Sequence, residues 1–214
     1  TKPRRILIPV GGAGAQRKFI EKFIRAMKGL ILEGRVQLFL NAGDHVHMKT
    51  CFTSILKEIG LEGKYKNVTS TEGVMAFRDN LLAGKEPEST VTLFSFDTYF
   101  PAVATTDILS RVADILACKP SELAFYPVPK LMIRRVGDHE QYSALRAAEL
   151  GDGTLEAREI EDAMTYVNLM IDKPDLLVQM NNSIIKNAEI GVYDGCKNAV
   201  RIALERAKES KKTV

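Results

Sequence analysis

Three short segments hold side chains whose types and spacing suit chemistry on a ligand. Gly11-Gly12-Ala13-Gly14-Ala15-Gln16 stands between an apolar run and a helix-forming stretch. Glycines let a backbone approach an anion closely, and a helix start offers unpaired N–H groups with a positive dipole end. A diphosphate is the guest such a turn suits; a tight turn needing glycine only for its dihedral angles is the competing reading. Lys119-Pro120-Ser121-Glu122 follows a second apolar run. Ser121 is placed to cap the next helix. Glu122 either favours that helix's positive start or accepts both hydroxyls of a ribose diol. Arg134-Arg135-Val136-Gly137-Asp138-His139-Glu140-Gln141 is the third segment, dense in charge for a loop. Glu140 and Gln141 open a helix there and are placed to receive sugar hydroxyls, while Asp138 and His139 are the catalytic candidates. A dipole-compensated helix start is the competing reading.

Several familiar chemistries are absent. Gly12-x-Gly14 is followed by Arg17 where a dinucleotide fingerprint needs a third glycine, and Asn41 stands where an acidic residue should end the second strand. The Gly-Lys-Ser/Thr ending of a P-loop is missing. His45 and His47 are two apart, so they share no helix face, and no third metal ligand accompanies them. No G-x-S-x-G elbow exists for serine chemistry. The sequence therefore implies no metal and no cofactor.

These segments need elements to position them. Ile6 to Val10 is apolar throughout, as a strand buried on both faces should be. Phe19, Phe23, Ile24, Met27, Leu30 and Ile31 then recur with helical spacing, and Gly34 closes that helix. Val36 to Leu40 predicts a strand, and Met48, Phe52, Ile55 and Leu56 a helix ended by Gly60. Further helices are predicted over Glu72–Leu82, Thr106–Val112, Ser121–Tyr126 and Asp138–Leu150, and strands over Val91–Phe96, Ala113–Cys118 and Leu131–Ile133. Pro127 and Pro129 must stop the helix begun at Ser121. Beyond Thr154 the spacing predicts helices near Glu159–Ile171, Pro174–Glu189 and Gly195–Glu209. The fold class is α/β: a Rossmann-like, open, mainly parallel sheet of about six strands, with flanking helices and a helical C-terminal extension. Residues 1–155 form the α/β domain, and residues 156–214 extend it.

Composition agrees with an ordinary folded domain. The 214 residues carry 30 Lys and Arg against 27 Asp and Glu, a net charge of +3, too small an excess to argue for nucleic acid. No apolar run is long enough for a transmembrane helix. Cys51, Cys118 and Cys196 lie far apart without ligand or disulfide spacing, which predicts reduced thiols in a cytoplasm-like compartment. A start at Thr1-Lys2-Pro3 directly before a strand suggests a chain cut from a longer protein.

In order, the segments resemble the C-terminal lobe of GT-B glycosyltransferases over about residues 5 to 155. The branch it is similar to holds the lipid-linked GlcNAc transferase and the diacylglycerol glycosyltransferases. The strand before Gly11-Gly12-Ala13-Gly14-Ala15 resembles the family's first glycine loop. Ala113-Asp114-Ile115-Leu116-Ala117-Cys118-Lys119-Pro120 resembles its strand ending in lysine. Ser121-Glu122-Leu123-Ala124 through Pro129 resembles its glutamate helix. Gly137-Asp138-His139-Glu140-Gln141-Tyr142-Ser143-Ala144 resembles its donor-sugar helix, and Gly151-Asp152-Gly153 its closing turn.

The resemblance implies a lobe that binds a nucleotide-sugar donor, with a UDP-hexose expected. Gly12, Ala13, Gly14 and Ala15 would face the diphosphate, Glu122 would hold the ribose, and Glu140 with Gln141 would contact the hexose; Gly11, Lys119, Ser121 and Gly137 complete the donor-binding set. It implies metal-independent transfer, in which helix dipoles and N–H groups stabilise the leaving diphosphate. The acceptor and the catalytic base would come from an N-terminal acceptor lobe or a separate acceptor subunit, with a membrane lipid among the acceptors. The isolated chain would bind donor and transfer little. Lys119 and Glu122 stand only three positions apart, where the family carries a second glycine-rich stretch, and Pro127-Val128-Pro129 departs from its glycine-x-proline. Two alternatives stay open: a sugar-nucleotide epimerase or hydrolase using Asp138, His139 and Glu140, and a non-catalytic module that has lost the donor.

Overall fold

The computed structural model describes residues 2–9 and 16–212, except the side chains of Glu122 and of residues 210–212. Six strands form one sheet: β1 (Arg4–Pro9), β2 (Val36–Gly43), β3 (Lys66–Val68), β4 (Val91–Ser95), β5 (Ile115–Cys118) and β6 (Lys130–Met132). Their order across the sheet is β3-β4-β2-β1-β5-β6, and every pair is parallel. Parallel strands need crossovers, and the helices supply them. These are α1 (Arg17–Ala26), α2 (Lys28–Leu32), α3 (Val46–Glu58), α4 (Thr71–Leu82) and α5 (Tyr99–Ser110); β5 and β6 are joined through a 3-10 turn instead, and α6 (Gln141–Leu150) follows β6. Three more follow: α7 (Ile160–Asp172), α8 (Pro174–Glu189) and α9 (Gly195–Lys212). This is an α/β fold of the Rossmann-like kind.

Alternation along the strands divides the core in two. Ile6 and Ile8 of β1 point to one face, where Phe19, Phe23 and Ile24 of α1, Phe52 and Ile55 of α3, and Val167 and Met170 of α7 cover them. Leu7 points to the other face, joining Phe39, Phe94, Leu109 of α5 and Ala144 and Ala147 of α6. Burial on both faces is why these strands are apolar without polar alternation. The expected helical extension packs on the first face through Ala163, Val167 and Met170 of α7 and Leu177 and Met180 of α8.

Three elements differ from expectation. The edge strand β3 has only Val68 buried, so it carries no apolar run to betray it. Helix α5 starts at Tyr99, earlier than its spacing suggested, with Pro101 accommodated near its N-terminus. Between Ser121 and Pro129 there is only a 3-10 turn, Glu122–Phe125, and a second such turn, Asp138–Glu140, leads into α6.

The chain winds outward from β1 to β2 and beyond, then returns to place β5 on the other side of β1. That reversal puts the sheet's switch point between β1 and β5. Ligands of open α/β sheets bind outside the carboxyl ends of strands at this place. The exits of β1, β5 and β6 are therefore neighbours.

Candidate functional site

The site is built from the three adjacent exits. Gly11, Gly12, Ala13, Gly14 and Ala15 lie outside the described residues, as does the side chain of Glu122. Beside them, Gln16 heads α1 in a left-handed conformation, φ 72°, the one non-glycine residue described with positive φ. Such a conformation costs roughly 1–2 kcal/mol and is held only when contacts require it. Here Gln16 Nε2 donates to the carbonyl of Arg135 at 2.8 Å, linking the α1 head to the β6 exit across β5.

Beyond β6 the chain continues to run along the sheet edge. Gly153 and Ala157 form parallel bridges to Lys130 and Ile133, and Thr154 Oγ1 accepts from the Met132 N–H. This brings Glu156 and Arg158 up to the β6 exit. Glu156 accepts from the Arg135 backbone N–H at 3.1 Å and from Arg135 Nη1 at 3.2 Å. Arg135 Nη2 donates to Asp138 at 2.8 Å. Held on two sides, the Arg135 side chain is only 14% exposed. Arg158 stands 3.7 Å from Glu156 and is largely exposed, and Arg134 makes no side-chain hydrogen bond or ion pair among the described residues. Gln16, Arg134, Arg135, Gly137, Glu156 and Arg158 line a cleft of about 420 Å³ together with Val136 and Asp138. Three guanidiniums face two carboxylates there, and most of the Arg134 and Arg158 donors are unspent.

The β5 exit is tied to the same place. Lys119 Nζ donates to Glu140 Oε1 at 2.5 Å, and Glu140 Oε2 accepts from the Val136 N–H at 2.7 Å. Burial works to raise the Glu140 pKa. The Lys119 hydrogen bond, the Val136 and Gly137 N–H groups and the Lys119 charge outweigh it and hold the carboxyl below its usual range. Both Glu140 oxygens are thus engaged, which makes Lys119 and Glu140 a clamp that positions two strand exits. Ser121 makes no side-chain capping bond, and its buried Oγ has no partner among the described residues. Gln141, first residue of α6, is exposed and lines a shallower recess of about 290 Å³, which shares Arg135, Glu156 and Arg158 with the main cleft.

Asp138, His139 and Glu140 are adjacent in sequence but turn to different partners: Asp138 to Arg135, Glu140 to Lys119. The exposed His139 ring folds over Gly137, where an added Cβ would meet it at 2.8 Å, so a side chain at 137 would push the ring aside. Among the described residues no group of three or more His, Cys, Asp or Glu side chains is placed to hold a metal ion. Asn41 is buried: its amide donates to the Ala102 carbonyl and to Thr106 Oγ1, and its oxygen accepts from the Gly43 N–H.

The sequence reading overlooked Gln16 as a bridging side chain, and Glu156 and Arg158 as site residues. All three gain their place from strand adjacency rather than from a motif. No helix among the described residues is long and apolar enough to cross a membrane. No curated protein matches the sequence. The profile of the family described as Domain of unknown function (DUF6938) matches residues 1–204, and the chain belongs to that family.

Proposed function

We propose that this chain is the nucleotide-sugar binding lobe of a glycosyltransferase-like protein, taking a UDP-hexose or a close relative. The observation that carries the reading is the Gln16–Arg135 bond, which joins the β1 and β6 exits in one basic cleft at the switch point. The ordered resemblance to the donor lobe supports it independently.

In this reading the diphosphate lies at the head of α1, where helix N–H groups favour an anion. The Lys119 ammonium is neutralised by Glu140, so the compensating charge comes from Arg134 and Arg158. Glu122 holds the ribose, and Gly137 with Gln141 receives the hexose. Hexosyl transfer then needs an acceptor and a base from another lobe or subunit, and this chain supplies donor binding and stabilises the leaving diphosphate.

Isothermal calorimetry with UDP and UDP-glucose tests the reading. Saturable binding is expected, weakened about tenfold or more by Arg134→Gln or Arg158→Gln, since each removes a charge-assisted contact. Glu122→Ala should weaken UDP more than inorganic diphosphate. Absence of any UDP heat, or binding indifferent to all three substitutions, would overturn it.

A further inference from the structure

The net positive charge of this chain is concentrated in one place. Helix α9 holds Lys197, Arg201, Arg206, Lys208, Lys211 and Lys212 against Glu205 and Glu209, a net +4. The whole chain carries +3, so subtracting +4 leaves −1 for everything else. The body of the protein is close to neutral, and its C-terminal helix is a basic arm.

That arm is also amphipathic. Cys196, Ala199, Val200, Ala203, Leu204 and Ala207 recur at helical spacing and form one apolar stripe. Lys197, Arg201 and Lys208 run beside it along one flank, because residues four and eleven apart return to nearly the same angle. Among the described residues nothing covers the stripe: Val200 is 61% exposed and Leu204 57%. By contrast α7 and α8 bury their apolar faces against the sheet. The 18 residues of α9 measure about 27 Å.

We infer that α9 is a docking helix for an anionic lipid surface, lying in the plane of the interface with its stripe in the headgroup layer. Four of the six stripe residues are small, so apolar burial alone gives weak attachment, and the lysines must supply the rest. The occupant is therefore a negatively charged bilayer and not a neutral one. An apolar stripe adds nothing to a nucleic-acid contact, and a second copy of this helix would set like charges against each other, so the lipid surface is the occupant the charge pattern favours.

Co-sedimentation of the full chain with vesicles tests this. Phosphatidylcholine vesicles containing a quarter phosphatidylglycerol should pull the protein down at low salt, and pure phosphatidylcholine should not. The triple substitution Lys197→Gln, Lys208→Gln, Lys211→Gln should weaken binding on the order of a hundredfold. Leu204→Asp should weaken it as well, with circular dichroism checking that the helix persists. The chain has no tryptophan, so Leu204→Trp gives a single reporter whose emission should shift to the blue on anionic vesicles only. Equal binding to neutral vesicles, no binding to either, or full binding by the triple variant would overturn the inference. So would a Leu204-dependent dimer in ultracentrifugation, or tighter binding to RNA that Leu204→Asp leaves intact.

Discussion

Lys119 Nζ and Glu140 Oε1 meet at 2.5 Å, an ion pair between the end of β5 and the threshold of α6, with Glu140 only 6% exposed. Because Glu140 also accepts the Val136 N–H, one carboxylate fixes the shape of two strand exits. Glu140→Gln should cost about 3 kcal/mol of unfolding free energy, as expected for breaking a buried pair on one side. The Glu140 pKa is depressed in the folded state, so its contribution is complete above the unfolded carboxylate value near about 4.3 and drains as pH falls below it. Urea titrations of both proteins should therefore differ most at pH 6 to 7, with the gap narrowing toward about pH 3.

A second buried pair lies at the opposite end of β6. Lys130, fully buried, donates to Asp152 Oδ2 at 3.0 Å and to the carbonyls of Tyr126 and Val128, while Tyr193 donates to the same carboxylate oxygen. Burial pushes the Lys130 ammonium below its ordinary range, and the Asp152 charge opposes that. Asp152→Ala should cost about 3–5 kcal/mol in chemical denaturation, because an unpaired charge is left inside. Adding Lys130→Met to that variant should recover much of the loss.

Gln16 separates binding from stability. Gln16→Gly removes the left-handed strain, worth about 1–2 kcal/mol, and also removes the bond to the Arg135 carbonyl, worth about 1 kcal/mol. The melting temperature should stay within a few degrees of the parent. Affinity for UDP should drop, since the α1 head and the β6 exit are no longer joined.

The cysteines differ in access. Cys196 is exposed, whereas Cys51 and Cys118 are buried. Burial, followed by the hydrogen bond to Glu21, pushes the Cys51 thiol up to about 12. Ellman's reagent at pH 8 should therefore titrate one thiol per native chain rapidly and all three only in denaturant.

The apolar runs at Ile6 and Val36 announced parallel strands because burial on both faces leaves no room for polar alternation, and the sheet confirms that reading. Lys66–Val68 was illegible for the opposite reason: an edge strand two-thirds exposed looks like a loop. At the site, the residues of Lys119–Glu122 and Arg134–Gln141 could be singled out by composition, but their division of labour could not. A carboxylate such as Glu140 reads the same whether it meets a sugar or a lysine, and its partner here lies 21 residues away. Arg158 reaches the cleft only through the Ile133–Ala157 bridge, a contact of sheet topology that no local spacing encodes.

In the proposed function the exits of β1, β5 and β6 share one ligand. Amide chemical-shift mapping of the isotope-labelled chain during a UDP titration tests it most directly. Concurrent, saturable shifts are expected at Gln16, at Lys119 and Ser121 and at Val136–Gln141, with a single dissociation constant. Shifts confined to another face of the molecule, or three segments titrating with unrelated constants, would contradict it.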